Sequence, residues 1–425
     1  MFSKNSPKKY LVGFDLRDDY CQISYYYYYA HGPSAEPETF AVVEGTEEYN
    51  IPTALSKRPG TNQWVCGQEA VRFAQSGEGI LINHLVNQAL DGRPVQVEEM
   101  EYAPAALLAL FINRCLLMLG SVVPADQIAV LLFTCEEMSP DMIAILEVVR
   151  ERLRLGCEFL YESHADSFYH YMLMQDPELR EKAVLLCELD EGRSVRVSRL
   201  LFNTRTTPIV AYREEQTYPS ISGVDDLAKD AAFNAILEEQ FAMRFYNSAF
   251  LLGDGFNGNW MNRSIRTLCQ KCRAFQGNNL FSKGAAYGAV IRTNPPKGVD
   301  KFFFLADDKL KSNIGIYVIS YGEEIYYPLV DAGGNWYDVH RSEDLILEEE
   351  NEIRLLLTPL TGEEKREFPI RLDELPRREG RTTRIRLNFE MLSPQKVRII
   401  IEDLGFGEIF PSTGLRWEQQ ITLKQ

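Results

Sequence analysis

The stretch Leu11-Val-Gly-Phe-Asp-Leu-Arg-Asp-Asp-Tyr-Cys-Gln-Ile-Ser24 decides how the rest of this chain is read. An apolar run meets Gly13 and Asp15, turns, and resumes with alternating polarity, the pattern of a β-hairpin half buried in a sheet. Hairpins of this outline cradle phosphate chains when their turns carry small residues, because backbone N–H groups can then approach an anion. Here the turn carries Arg17, Asp18 and Asp19. Carboxylates facing a polyphosphate in a partly dry site repel it strongly. The frame is that of a nucleotide site; the contents are not.

The chain has 425 residues, room for two or three domains. A hydrophobic share of 45% beside 25% charged residues is that of a soluble globular protein. The net charge of −16 lacks the basic footprint that nucleic acid or an anionic membrane surface requires. The opening residues, Met1 to Lys9, have no signal-peptide apolar core. The longest apolar run, Ala103 to Leu119, is interrupted by Asn113 and Arg114, so no membrane insertion is expected. The cysteines are scattered, several in apolar contexts (Cys115, Cys135, Cys187), and read as reduced core residues of a cytoplasmic protein.

Outward from the first hairpin, Tyr25 to Tyr29 is a run of tyrosines. It reads as an aromatic strand packed under helices or as a contact surface for a partner. Short strands are expected around Ile51-Pro-Thr-Ala-Leu and Val65-Cys-Gly67, then a helix from Gln68. Tyr102 to Leu119 reads as a buried helix, Ile128 to Thr134 as a buried strand, and Ser139-Pro140 as the capped start of another helix. The grammar restarts at Ala183: strand Val184–Leu189, turn Asp190-Glu-Gly-Arg193, return strand from Val195. Leu251-Leu-Gly-Asp-Gly-Phe256 ends a strand in a glycine turn, and Lys283-Gly-Ala-Ala-Tyr-Gly-Ala289 is a small-residue helix able to approach another backbone closely. After residue 298 short alternating strands dominate and predict an all-β module. Within it, acidic Glu343–Glu352 and basic-rich Lys365–Arg386 read as solvated faces or interaction patches.

In this order, these segments resemble the actin/Hsp70/sugar-kinase ATPase superfamily, most closely Hsp70. Gly13-Phe-Asp-Leu16 is similar to the first phosphate motif, Tyr161-Glu162-Ser163 to the connecting motif, and Glu188-Leu-Asp-Glu-Gly192-Arg193 occupies the place of the second phosphate motif. Leu252-Gly253-Asp254-Gly255 resembles the adenosine motif, and Gly284–Ala289 the helix that closes the ATPase domain. Phe302-Phe-Phe-Leu305 is similar to the apolar interdomain linker. The pairs Ser312–Ile316 and Thr383–Phe389 with Lys396–Ile401 resemble strands of the peptide-binding sandwich. The resemblance implies an α/β plus β fold: a two-lobed, duplicated RNase H-like domain (lobe I at 1–182, a reduced lobe II at 183–298) and a β-sandwich at 299–425. That family's helical lid has no counterpart before Gln425.

The departures carry the functional expectation. Arg17, Asp18 and Asp19 replace the glycine and threonine that touch phosphate in the family; Glu188, Asp190, Glu191 and Arg193 fill the second motif, leaving Gly192 as its one glycine. The family's catalytic lysine has no counterpart; His84 is nearest. Asp15 and Glu162 survive and could orient hydrated Mg²⁺ were the site active. The other reading is an acidic cleft in which Arg17 and Arg193 form internal ion pairs replacing a nucleotide's bridging role. Cys269-Gln-Lys-Cys272 lacks a second pair for zinc, and His164 and His170, six apart, share no helix face. The expectation is therefore a pseudo-ATPase scaffold without cofactor that binds a protein or peptide partner. The alternatives are an ATP/Mg²⁺-dependent chaperone with divergent motifs and an actin-like assembly protein.

Overall fold

A computed structural model describes residues 9–27, 36–223, 225–348, 351–360 and 364–423. The chain divides into two compact units, Met1–Ala306 and Asp307–Gln425. Among the described residues no helix is long and apolar enough to cross a membrane.

In the first unit, β1 (Tyr10–Leu16) and β2 (Tyr20–Tyr27) form the expected hairpin, with β3 (Glu38–Thr39) and β4 (Ile51–Pro52) pairing on β2. A small sheet of β5 (Leu55–Lys57), β6 (Trp64–Cys66) and β7 (Ile80–Ile82) follows, with α1 (Gly67–Gln75) and α2 (Leu85–Asp91). A separate two-stranded hairpin, β8 (Val95–Val97) and β9 (Met100–Tyr102), precedes the buried α3 (Pro104–Leu119). Next come β10 (Ile128–Cys135), α4 (Pro140–Leu153), β11 (Glu158–Ser163) and α5 (His164–Leu173). The Ser139 hydroxyl accepts from the Met142 N–H at 3.2 Å and caps α4, with Pro140 in its first turn.

The second sheet is built from β12 (Ala183–Glu188), β13 (Ser194–Asn203) and β14 (Ile209–Ser220), then α6 (Asp226–Met243), β15 (Ser248–Leu252), α7 (Asn262–Lys271), β16 (Arg273–Gln276), α8 (Leu280–Thr293) and β17 (Phe302–Leu305). The strand orders are β11-β10-β1-β2-β3 and β16-β15-β12-β13-β14-β17. Both sheets follow one scheme. An antiparallel hairpin supplies the central strand, and two parallel strands add on its far side. Tyr25, Tyr26 and Tyr27 lie on β2, with Tyr25 donating to Glu38 at 2.7 Å; Tyr28 and Tyr29 fall outside the described residues.

Three differences from the sequence reading have a common origin. The unit ends at Ala306 rather than 298 because Phe302–Leu305, expected as a linker, pairs parallel with β14 and completes the second sheet. Neither β14 nor α6 stands out in the sequence. β14 is long and mostly half-exposed, so its charged residues mask its alternation, and α6 carries a weak amphipathic signal.

Helices α5 and α8 occupy the middle of the first unit. Ala165, Phe168, Phe281 and Leu280 pack on Val184, Leu186 and Leu252 of the second sheet, while Ala285 and Ala289 pack on Leu11 and Leu132 of the first. Glycines permit this contact. A Cβ on Gly13 would stand 2.3 Å from the Ala286 nitrogen, and one on Gly284 2.1 Å from the Ser167 carbonyl oxygen.

The second unit contains two antiparallel four-stranded sheets: β18 (Ser312–Ser320), β19 (Glu323–Val330), β21 (Glu352–Pro359) and β22 (Arg366–Arg371) in one; β20 (His340–Leu347), β23 (Thr383–Ser393), β24 (Lys396–Asp403) and β25 (Arg416–Thr422) in the other. Strands β20 and β22 lie in the charge-rich stretches read as solvated faces; Glu349 and Glu350 fall outside the described residues. Those charges are cross-strand partners, as with Arg386 Nε on Asp344 at 2.7 Å. β18 meets β21 only over Ser312–Gly315, whereas its pairing with β19 continues to Ser320. The hairpin end is therefore a two-stranded ribbon exposing Tyr317, Ile319, Tyr321, Ile325 and Tyr326.

The contact geometry predicts that Gly284→Ala lowers stability by about 3 kcal/mol, because backbone must move to admit the methyl group. Gly277→Ala, with open space around it, stays within about 0.5 kcal/mol of the parent. Urea denaturation of both variants checks this; equal midpoints would remove the close-packing argument.

Candidate functional site

The turn between β1 and β2 is fixed from outside. Thr53 donates its hydroxyl to the Arg17 carbonyl at 2.8 Å and its N–H to the Asp19 carbonyl at 3.0 Å. Asp18 points away from the neighbouring hairpin: it accepts the Asn87 N–H (2.8 Å) at the start of α2 and lies 2.7 Å from His84 Nδ1. A carboxylate there meets the partial positive charge of the helix start, which makes Asp18 and His84 a tether between elements.

Arg17 reaches across the space between the two sheets. Its Nε donates to Asp15 at 3.2 Å, and a terminal nitrogen stands 3.7 Å from Glu188 of β12. Its guanidinium lies 5.2 Å from the Tyr20 ring centre and 5.1 Å from that of Phe281. His164 stacks on the other partner of this group, its ring 4.2 Å from Phe281, and places Nε2 2.7 Å from Asp15. Both carboxylate oxygens of buried Asp15 are thus engaged. Burial pushes the Asp15 pKa up, but Arg17 and His164 outweigh it and hold it below the ordinary 3.8.

The second hairpin carries two more arginines. Arg196 Nε lies 3.2 Å from Glu188, and its terminal nitrogen contacts Glu136. Arg193 pairs with Asp19 at 3.0 Å and stands 3.9 Å from Asp190. Burial holds the Asp190 pKa above its ordinary value despite Arg17 and Arg193. Arg17, Arg193 and Arg196 therefore clasp Asp15, Asp19, Glu136, Glu188 and Asp190, carboxylates from both sheets. Acid remains in excess, so the cluster opposes a polyanion.

Four N–H groups of the second hairpin and the glycine turn already have acceptors within the chain. Glu191 N–H donates to Asp254 at 2.8 Å, Gly192 N–H to Ser222 at 3.0 Å, Gly255 N–H to the Leu189 carbonyl at 2.9 Å, and Gly253 N–H to Asn278 at 3.3 Å. Gly253 has φ +107°, and a Cβ there would stand 2.2 Å from the Leu189 oxygen. This glycine turn is filled by the chain's own second hairpin, where Gly192 (φ +77°) makes the bend. Gly13 is required by the α8 contact.

Glu162 is separate from this cluster. It is fully buried on β11, accepts from Ser167 at 2.6 Å, and has His170 Nδ1 at 3.0 Å and Arg292 at 3.7 Å. Asp15 and Glu162, the pair that could orient Mg²⁺ were the site active, are two strands apart in one sheet row, each with its own histidine. Among the described residues no set of three or more His, Cys, Asp or Glu surrounds a common metal position. His164 and His170 share no helix face, but each faces an acid on the adjacent sheet, Asp15 and Glu162. Arg196 was also missed, although its pairing opposite Glu188 follows once the second hairpin's register is known.

With the geometry in view, the relationships of the chain are limited but clear. Residues 36–307 match the model of a family described as "Family of unknown function (DUF5716) C-terminal". The chain belongs to that family. Residues 309–423 match a "Domain of unknown function (DUF8552)", so the two matches meet close to the division between the compact units. No curated protein matches the sequence.

Breaking the clasp should be costly. Arg17→Ala leaves Asp15 and Glu188 without their shared partner and should destabilise the protein by about 3 kcal/mol at neutral pH. Because the folded Asp15 pKa is depressed, its stabilisation is fully present above 3.8 and is lost as pH falls through the lowered value. Removing Arg17 raises that value, so the variant's acid unfolding should lose the Asp15 contribution; stability measured from pH 7 down to pH 2 checks the slope.

Proposed function

We propose that the chain is an Hsp70-like pseudo-ATPase of the cytoplasm that serves as a protein- or peptide-binding scaffold. The reading takes its architecture as two-lobed and actin/Hsp70-like, with a C-terminal β-sandwich. The observation that carries it is the Arg17 clasp. An intramolecular cation joins the two hairpins where, on this reading, a nucleotide and its metal would bridge them, and the Glu191 and Gly192 N–H groups of the second turn already have acceptors. The repeated strand scheme of the two sheets supports the architectural part.

Binding then falls to the second unit. Its β18–β19 ribbon exposes aromatic and branched side chains on strands that lack a neighbour on one side, which suits capture of an extended apolar segment by backbone pairing and side-chain contact. Tyr326 covers Gly315, where a Cβ would stand 2.4 Å from the ring, so the aromatic surface is held in place.

Calorimetric titration with ATP and ADP, with and without Mg²⁺, tests the first part: no heat and no thermal stabilisation are expected at millimolar nucleotide. Micromolar, Mg²⁺-dependent binding would sink it. For the second part, an array of extended apolar peptides should show binding that Tyr317→Ser/Tyr321→Ser weakens about tenfold or more without lowering the melting temperature. Unchanged binding in that variant would place the peptide site elsewhere.

A further inference from the structure

In the segment between the two halves of the clasp, the β8–β9 hairpin covers the turn between β5 and β6. Between them is an open cavity of about 580 Å³ lined by Lys57, Gly60, Thr61, Asn62, Glu98, Glu99, Met100 and Tyr102. That volume lies in the range of small-ligand pockets. Lys57 ends the central strand of its sheet, and its side chain is only 6% exposed. Its ammonium contacts one oxygen of Glu98, and the Gly60 N–H donates to the other at 2.7 Å. The turn carrying these donors is closed by the Arg58 N–H on the Gln63 carbonyl at 3.1 Å.

An ammonium and a backbone N–H converging on two oxygens form a carboxylate receptor. The carboxylate now in it belongs to a turn residue of a hairpin that pairs with no further strand among the described residues, and Glu98 holds φ +56°, a left-handed conformation unfavourable for a residue with a side chain. Tyr102, set edge-on against Trp64 at 5.3 Å, gives the cavity an aromatic wall, and Met100 lies exposed beside it.

We propose that this cavity binds a small aromatic or apolar monocarboxylate, which displaces the Glu98 side chain from Lys57 and Gly60. Charge argues for a monoanion. One carboxylate replaces another on the lysine, whereas a dianion would add charge beside Glu99. The internal carboxylate competes at high effective concentration, so the native protein binds weakly and a ligand succeeds through its contacts with Tyr102 and Met100.

The probe is 3-phenylpropionate, with 3-phenylpropanamide as its uncharged counterpart, titrated calorimetrically into the full chain. The native protein should bind the acid at millimolar concentration and not the amide. Glu98→Gln, which removes the competing charge at a partly exposed residue, should tighten the acid about tenfold. Met100→Trp, at an exposed residue on the rim, should weaken it by crowding the cavity. Equal binding of acid and amide, no binding of the acid to the native protein, or no gain in Glu98→Gln would each overturn the proposal.

Discussion

A guanidinium held between carboxylates from two different sheets is the interaction on which the first unit depends. Arg17 leaves its own hairpin, passes between the Tyr20 and Phe281 rings, and meets Asp15 on one side and Glu188 on the other. Buried charge is tolerated only when paired. Asp15 stays a carboxylate in a dry place because Arg17 and His164 face it, and the burial of the Arg17 guanidinium is offset by Asp15 and Glu188. Arg196 and Arg193 extend the arrangement outward to Glu136, Asp190 and Asp19. The hairpins of both sheets are held in one place by charges from within the chain.

Behind this clasp, close backbone contact does what side chains cannot. Helix α8 sits between the sheets with glycines and alanines toward its neighbours. Gly13 of β1 and Gly284 of α8 bring strand and helices to distances that exclude a single methyl group. Gly288 leaves room for the Glu162 and His170 side chains in the same way. The cluster around Glu162 is thus part of the packing between α5, α8 and the first sheet, although its residue types are those of a catalytic centre.

Legibility in the sequence followed polarity. The buried strands β1, β10 and β12 and the apolar α3 stand out because both faces or most faces are covered, giving unbroken apolar runs. Strands β14, β20 and β22 do not, because their outward positions carry charge that reads as loop until the cross-strand partner is known. Asp344 looks like part of an acidic surface run; opposite Arg386 it is half of a rung in a sheet. Phe302–Leu305 shows the converse. It is apolar enough to be any strand or linker, and only its partner β14 assigns it to the first unit.

The sequence by itself determined that both turns are poor in glycine and rich in carboxylates, since the identities of Arg17, Asp18, Asp19, Asp190 and Glu191 are local facts about charge and size. It also determined the two hairpins and the change to β-structure in the last third, because alternation and turn residues are short-range signals. Only the tertiary structure decided which charges meet. Asp18 went to α2, Asp19 to Arg193, Asp15 to His164 and Arg17 to Glu188, pairings that join residues far apart in the chain. Charge is written in the residue, but its energetic meaning depends on burial and on the partner a few ångströms away, and both arise only when the sheets and helices close on one another.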